Sequence, residues 1–235
     1  RMQSRTGART AEDGTTAAQV RAADVDAFFA TFSERGLRPG VLRPAYGLAE
    51  HTVFICCSNG RSRETFDAAA LEEAGGVAAP AEAGARSVEL FGCGEVPQGV
   101  SCTVVRDGAA VPENVVGEIW VRSPSRAAGY WRAPGASSEA FGAVLRGEPL
   151  AADADGVVDA AGWLRTGDLG FFRGGELYVC GRSKDLLIVR GKNFYPQDLE
   201  QTWEALFRRA AILSGCIRGG TAAATWMIRG DEESR

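Results

Sequence analysis

The chain has 235 residues, of which 45% are hydrophobic and 24% are charged, and its formal net charge is -4. These values are typical of a globular protein that buries a core without disulfides. The slight negative charge, with no basic block, excludes an electrostatic footprint for nucleic acid or an anionic membrane. The single histidine excludes a metal site built on several histidines.

The cysteines and the apolar runs bear on the compartment. No CxxC pair occurs, which favours buried thiols in a reducing environment. No apolar run approaches the ~20 residues of a membrane span. We therefore expect a soluble cytoplasmic protein. The six cysteines are at positions 56, 57, 93, 102, 180 and 216.

The first part of the chain predicts the end of an α/β layer. Hydrophobic residues recur at helical spacing between 20 and 32, and Gly36 follows as a C-cap. Short apolar runs at 41–42 and 52–56 predict buried strands on either side of a turn at 44–47. This order of elements is typical of an α/β layer that begins before residue 1.

The rest of the chain changes character twice. Residues 58–86 are rich in Ala, Gly and Glu, and only a short helix is predicted, at 66–74. From 87 onward, short β-type runs separated by Gly, Pro and Asp turns predict a small β-barrel or sandwich. Pro196 marks the start of a further helix, and 225–228 predicts a last strand. The β-type runs lie at 88–91, 101–105, 117–122, 156–158, 176–180 and 186–189.

The segment Tyr46-Gly47-Leu48-Ala49-Glu50 is the first of three candidate functional segments. Its tyrosine offers an aromatic face for a purine, and its glycine lets a ligand approach the backbone. Its glutamate has the oxygen ligands that Mg²⁺ prefers. The alternative is an edge tyrosine beside a solvated glutamate.

The other two candidate segments lie in the β-rich part. Asp168 ends a Thr-Gly-Asp sequence, and its two acceptor oxygens suit a ribose diol. The alternative is a hairpin turn in which this aspartate caps its own backbone. At 181–185 a strand ends in charged residues and a new apolar strand follows at once. Such a joint fits either a hinge between domains or a charged hairpin turn.

The order and spacing of these segments resemble the ANL superfamily of adenylate-forming enzymes. This superfamily contains acyl-CoA synthetases, peptide-synthetase adenylation domains and luciferases. Within it, the sequence Gly-Lys-Asn-Phe-Tyr-Pro-Gln-Asp-Leu-Glu at 191–200 is similar to the hinge region of fatty acyl-AMP ligases. The resemblance covers about residues 20 to 207. Its further motifs are YGLAE at 46–50, GYW at 129–131, GWLRTGD at 162–168, GRSKD at 181–185, the stretch 117–131 and the Phe-Gly pair at 141–142.

The resemblance implies an α/β fold, with α+β elements, that comprises the end of a large N-terminal domain and the start of a small C-terminal one. Residues 1–86 would end the α/β subdomain and carry the family's insertion at about 58–86. Residues 87–181 would form a β-barrel subdomain. Residues 182–235 would contain the hinge and a truncated C-terminal α+β subdomain.

The resemblance also implies roles for individual residues. Tyr46 would stack on adenine, with Gly47 beside it, and Glu50 would help hold Mg²⁺. Asp168 and Arg182 would bind the ribose hydroxyls. Lys184 would be the residue about which the small domain rotates, and Asn193 would lie near the phosphates.

The implied function is activation of a fatty acid by ATP and Mg²⁺ to an acyl-adenylate, with release of pyrophosphate. The acyl group would then pass to the phosphopantetheine of an acyl carrier protein. The alternatives are an acyl-CoA synthetase, with CoA as acceptor, and a non-catalytic adenylation-like binding module. The family's phosphate loop and C-terminal lysine are not found in this sequence. We therefore expect the parent protein to be the enzyme and this fragment alone to be inactive.

Overall fold

The structure is a computed structural model that divides into two compact units, residues 1–195 and 196–235. In the second unit only Thr202, Trp203 and Leu206 are described, and all three are helical. The predicted strands at 156–158 and 225–228, and the rest of the helix predicted from Pro196, lie outside the described residues. The described residues are 20–38, 40–60, 62–73, 76–147, 162–185, 187–189, 192–194, 202, 203 and 206.

The predicted first helix is confirmed. Helix α1 spans Ala22–Phe32, and a 3-10 turn, Ser33–Arg35, continues it to Gly36, whose φ of 84° closes the element as a C-cap. Arg63 lies 2.7 Å from Asp26 of this helix and 2.8 Å from Glu89. These ion pairs join α1 to the strands that follow.

The strand predicted at 41–42 is wrong, as is the turn at 44–47, and of the strand predicted at 52–56 only Cys56 lies in a strand. Strand β1, Ala45–Tyr46, pairs antiparallel with β2, Cys56–Cys57. Between them Thr52 and Val53 have positive φ angles of 54° and 72°, which no strand residue adopts. Residues 52 and 53 of this apolar run therefore form a tight turn and not a strand.

A hairpin and a short helix follow. Strand β3, Arg63–Asp67, pairs antiparallel with β4, Ser87–Phe91, so the strand predicted at 88–91 is confirmed. Between them lies helix α2, Ala68–Glu72, because Asp67 accepts hydrogen bonds from the N–H groups of the first turn at 2.8 and 3.2 Å. The helix predicted at 66–74 is therefore right only for its central part.

The largest element is an antiparallel sheet of five strands, in the order β6-β5-β7-β8-β9. It confirms the strands predicted at 101–105, 117–122 and 176–180. The predicted closed barrel is not found: in the described part of the chain the sheet is open, with the two-residue strand β6 at one edge and β9 at the other. The strands are β5 Ser101–Arg106, β6 Ala109–Ala110, β7 Gly117–Arg122, β8 Leu164–Arg173 and β9 Glu176–Arg182.

The described part of the first unit also contains three smaller elements. Helix α3 spans Pro134–Phe141 and has proline in its first turn, where no N–H is needed. Strand β10, Leu187–Val189, pairs antiparallel with β11, Lys192–Phe194. The described part of the strand predicted at 186–189 is thus confirmed.

Strand β7 is buried on both faces, which makes it the centre of the fold. Ile119 and Val121 pack into one hydrophobic cluster, together with Tyr46 of β1. Trp120 points the other way and packs against Val105 and Trp163. β7 therefore fixes the position of the strands on either side of it.

The prediction of buried thiols is confirmed for three of the described cysteines. Cys56, Cys93 and Cys180 are buried, whereas Cys102 is half-buried and Cys57 is exposed. Burial raises the pKa of Cys56 and of Cys93 to about 12, so these thiols stay protonated near neutral pH. Among the described helices, none is long and apolar enough to cross a membrane.

Candidate functional site

The carboxylate of Asp168 is the meeting point of all three candidate segments. The Tyr46 hydroxyl donates to its Oδ2 at 2.7 Å, and Arg182 Nε donates to its Oδ1 at 3.1 Å. These residues come from β1, β8 and β9. The structure therefore joins three predicted site residues through one carboxylate, although the tyrosine is 122 residues away from it.

Strand β7 holds this aspartate in place. The Asp168 N–H donates to Thr166 Oγ1 at 3.0 Å, and that hydroxyl donates to the Ile119 carbonyl at 2.7 Å. The Gly167 N–H donates to Glu118 Oε1 at 3.2 Å. The Thr-Gly-Asp sequence therefore lies inside strand β8, with an irregular register beside Leu169, and the hairpin-turn alternative is wrong.

Burial dominates the electrostatics of the carboxylate. Asp168 is 1% exposed, and desolvation raises its pKa, against the lowering effects of the Tyr46 and Arg182 contacts. Desolvation also raises the pKa of Tyr46 well above its usual value, so its hydroxyl remains a donor. A carboxylate has about four acceptor positions, of which these contacts use two.

Glu50 lies beside this group, in the 3-10 turn Ala49–His51. Its charge contributes to the raised pKa of Asp168, which places both carboxylates in one electrostatic environment. Its Oε1 accepts a hydrogen bond from the Tyr130 hydroxyl at 2.8 Å, and its carbonyl accepts one from the Ala127 N–H at 2.8 Å.

The neighbouring His51 is a packed residue. It is fully buried, with Nδ1 3.1 Å from the Phe54 carbonyl and Nε2 2.6 Å from Ser123 Oγ. Because a carbonyl oxygen only accepts, Nδ1 carries a proton and donates to Phe54. The ring therefore joins the turn that holds Glu50 to the loop that follows β7.

Gly47 is required by the protein's own backbone. A Cβ atom at this position would overlap the carbonyl oxygen of Val53, which the tight turn brings against it. The glycine thus lets two backbone segments approach closely. The prediction that it also makes room for a ligand stays a prediction.

The remaining predicted residues are placed but their roles stay predictions. The Tyr46 ring is only 5% exposed, so stacking on adenine would use a face that packs in the core. Lys184 is exposed in the turn after β9, and the neighbouring Ser183 N–H donates to the Gly167 carbonyl at 2.8 Å. The backbone of Asn193 lies in β11, but its side chain is outside the described residues.

Sequence reasoning missed two polar residues of the site. Tyr130 was singled out only as part of the Gly-Tyr-Trp motif, and its contact with Glu50 spans 80 residues. Thr166 was singled out only as part of a turn. In both cases the motif was the available signal, but it does not identify the partner.

The ability of this site to bind a metal ion depends on its carboxylates. In the described part of the chain, no three His, Cys, Asp or Glu residues are grouped so that they could hold an ion. Mg²⁺, however, is commonly held by one or two carboxylates together with waters and substrate phosphates. Glu50 is half-buried and its Oε2 has no hydrogen-bond partner among the described residues, so it fits a single-carboxylate site of that kind.

Comparisons with known proteins agree with the motifs. The chain is 35% identical over 210 residues to the long-chain-fatty-acid–AMP ligase FadD32 of Mycolicibacterium smegmatis, an alignment that covers 87% of this chain and 32% of the ligase. It is 39% identical over 202 residues to the medium-chain-fatty-acid–[acyl-carrier-protein] ligase JamA of Moorena producens, covering 83% of this chain and 32% of the ligase. The chain thus spans about a third of the length of these relatives.

A solved structure gives the same result. The fatty acyl-adenylate ligase of L. pneumophila in complex with acyl adenylate and pyrophosphate matches with a TM-score of 0.61 and 32% identity. The match covers 72% of this chain and 28% of the ligase. No protein-family model matches the chain. The homologues and the structural neighbour are thus of the kind that the motifs predicted.

Proposed function

We infer that this chain is part of a fatty acyl-AMP ligase of the ANL superfamily, and that the whole protein uses ATP to convert a fatty acid into an acyl-adenylate and pyrophosphate. The observation that carries the proposal is the contact of Tyr46 and Arg182 with Asp168. Residues proposed for one nucleotide site, from distant parts of the sequence, meet at one carboxylate. The names of the homologous ligases support the same reaction.

The ribose of the nucleotide is proposed to bind at Asp168 and Arg182. Each oxygen of the carboxylate already accepts one hydrogen bond and keeps a second acceptor position for a ribose hydroxyl. The guanidinium carries five N–H donors and uses one of them on the carboxylate. The hydrogen bond that Tyr46 donates to the carboxylate, and the one that the Asp168 N–H donates to Thr166, fix the orientation of this pair before the nucleotide arrives.

Glu50 is proposed to contact the cation and Tyr46 to contact the base. When bound, Mg²⁺ would neutralise phosphate charge as the fatty acid carboxylate attacks the α-phosphate. Glu50 presents Oε2 toward that role, since Tyr130 occupies Oε1. Tyr46 donates to Oδ2 of Asp168 and Arg182 donates to Oδ1, so a base at Tyr46 would lie next to a ribose at Arg182.

The acyl acceptor is proposed to be the phosphopantetheine of an acyl carrier protein. The printed name of one relative, an acyl-carrier-protein ligase, supports this acceptor. In this proposal Lys184 is the hinge about which the small domain rotates between adenylation and acyl transfer. Asn193 lies near the phosphates. The exposed position of Lys184 directly after β9 suits a hinge, because a backbone change there disturbs no packed side chain.

The test is to incubate the full-length protein that contains this chain with ATP, Mg²⁺ and fatty acids of graded length, and to detect acyl-adenylate by mass spectrometry. A second stage adds either holo acyl carrier protein or CoA. The proposal expects acyl-adenylate in the first stage and acyl transfer to the carrier protein in the second. No acyl-adenylate with any fatty acid would overturn it, and transfer only to CoA would overturn the assignment of the acceptor.

A further inference from the structure

We propose that Tyr130 is a positioning residue that orients the Glu50 carboxylate toward a divalent cation. The two residues are 80 positions apart, and the Tyr130 hydroxyl donates to Glu50 Oε1 at 2.8 Å. The inference rests on the proposed function, in which Glu50 contacts the cation that accompanies ATP.

The Tyr130 side chain is itself held in place by helix α3. Its ring packs edge-to-face on the buried Phe141, with centroids 5.2 Å apart and planes at 77°. Its N–H donates to Ser137 Oγ at 2.8 Å. The preceding Gly129, with φ of 149°, allows this close approach to helix α3, because a Cβ atom there would lie only 2.8 Å from Ser137 Oγ. These contacts therefore orient the Tyr130 ring and, with it, the hydroxyl that donates to Glu50.

The backbone around Glu50 is tied to the same loop. The Glu50 carbonyl accepts from the Ala127 N–H at 2.8 Å, and Thr52 Oγ1 donates to the Ser125 carbonyl at 2.8 Å. The His51 ring contacts Ser123. Main chain and side chain of the glutamate are thus oriented by one segment, residues 123–130.

This arrangement leaves one oxygen for a cation. Oε1 is occupied by the phenol, while Oε2 has no hydrogen-bond partner among the residues that the structure describes. A free glutamate side chain would lose rotamer entropy on binding a cation. The phenol hydrogen bond restricts those rotamers beforehand.

The test compares Tyr130→Phe with the wild type in the full-length protein that contains this chain. The probe is Mn²⁺, a stand-in for Mg²⁺ whose binding is measured by electron paramagnetic resonance in the presence of a non-hydrolysable ATP analogue. Loss of a group that orients a metal ligand typically weakens metal binding about 10- to 100-fold. We expect about a tenfold weaker Mn²⁺ affinity, with unchanged affinity for the analogue when no metal is present.

Two further variants distinguish positioning from general damage. Tyr178→Phe removes a matched phenol–carboxylate contact, Tyr178 to Glu64 at 3.1 Å, from a different cluster, and should leave Mn²⁺ affinity unchanged. In the Glu50→Gln background, Tyr130→Phe should add no further loss, because the tyrosine acts only through Glu50.

The following outcomes would contradict the proposal. Wild-type Mn²⁺ affinity in Tyr130→Phe, an equal loss in Tyr178→Phe, or an additive loss in the Glu50→Gln background would overturn the positioning role. Weaker metal-free binding of the analogue would overturn it too, since the tyrosine would then contact the nucleotide itself. A wild-type protein that binds no Mn²⁺ with the nucleotide would overturn the proposed function as well.

Discussion

Asp168 combines a structural cost with a proposed binding role. It is almost fully buried, yet it carries the contacts from Tyr46 and Arg182 that define the candidate site. Its pKa is raised in spite of those contacts, because desolvation outweighs them. Burying the charged form therefore costs stability, and we expect this cost to be visible in the pH dependence of unfolding.

The variant Asp168→Asn isolates that cost, since asparagine does not titrate. A carboxyl whose pKa is higher in the folded than in the unfolded state contributes most stability below its unfolded pKa of about 3.9, and loses it as pH rises through the folded pKa. The free energy of unfolding of the wild type minus that of the variant should therefore fall as pH rises above about 3.9. Urea unfolding at a series of pH values measures it, and a difference that rises with pH would contradict the raised pKa.

Gly47 provides a test of the backbone packing at the site. Gly47→Ala places a methyl group on the Val53 carbonyl, which a rigid turn holds there, and should cost about 3 kcal/mol or more of unfolding free energy. Gly135→Ala is the matched control, because this helix α3 glycine has no atom within 4 Å of the new methyl. The control should be neutral or stabilising by up to about 1 kcal/mol. Equal effects of the two substitutions would show that the close approach is absent.

At the scale of single residues, the sequence was informative about identity and silent about partners. The motifs singled out Tyr46, Asp168 and Arg182, and the structure brings all three together. The partner of Glu50 could not be predicted, because a hydrogen bond across 80 residues depends on how the sheet and helix α3 pack. The close approach of the Val53 carbonyl to Gly47 likewise depends on a turn that the apolar sequence concealed.

At the scale of elements, we expect substitutions of core residues in β7 to lower the free energy of unfolding strongly. Ile119 is fully buried at its centre, so Ile119→Ala should cost about 2–5 kcal/mol through lost burial and a cavity. Val144→Ala, at a residue that is 59% exposed, is the control and should change stability by less than about 0.5 kcal/mol. Urea unfolding of both variants tests this, and a cost at Ile119 as small as that of the control would show that β7 is not central.

Strands with apolar residues between clear turn residues were predicted well, as at β5, β7 and β9. Strand β8 was missed, because Thr166-Gly167-Asp168 has the composition of a turn. Pairing with β7 and β9 on both sides overrides that local preference and leaves only an irregular register and a positive φ of 73° at Gly167. The strand predicted at 52–56 is the opposite case, because residues 52 and 53 of this apolar run form a turn.

At the scale of the whole molecule, the candidate site depends on the pairing of β8 with β9 and on the packing of β1, from a separate two-stranded sheet, against the five-stranded sheet. Strands β1, β8 and β9 each contribute a side chain, and β7 holds the segment that carries Asp168. The resemblance predicted which residues would form the site, whereas the open five-stranded sheet that carries Asp168 and Arg182 replaced the predicted barrel. The central claim is that this assembly binds the ribose of ATP through Asp168 and Arg182.

That claim is tested most directly by measuring the dissociation constants of ATP and of 2′,3′-dideoxy-ATP for the full-length protein and for its Asp168→Asn variant. The wild type should bind the dideoxy nucleotide at least about tenfold more weakly, a difference of about 1.4 kcal/mol, because the carboxylate then has no hydroxyl to accept from. In the variant this ratio should fall several-fold toward one. A wild type that binds both nucleotides with equal affinity would contradict the account.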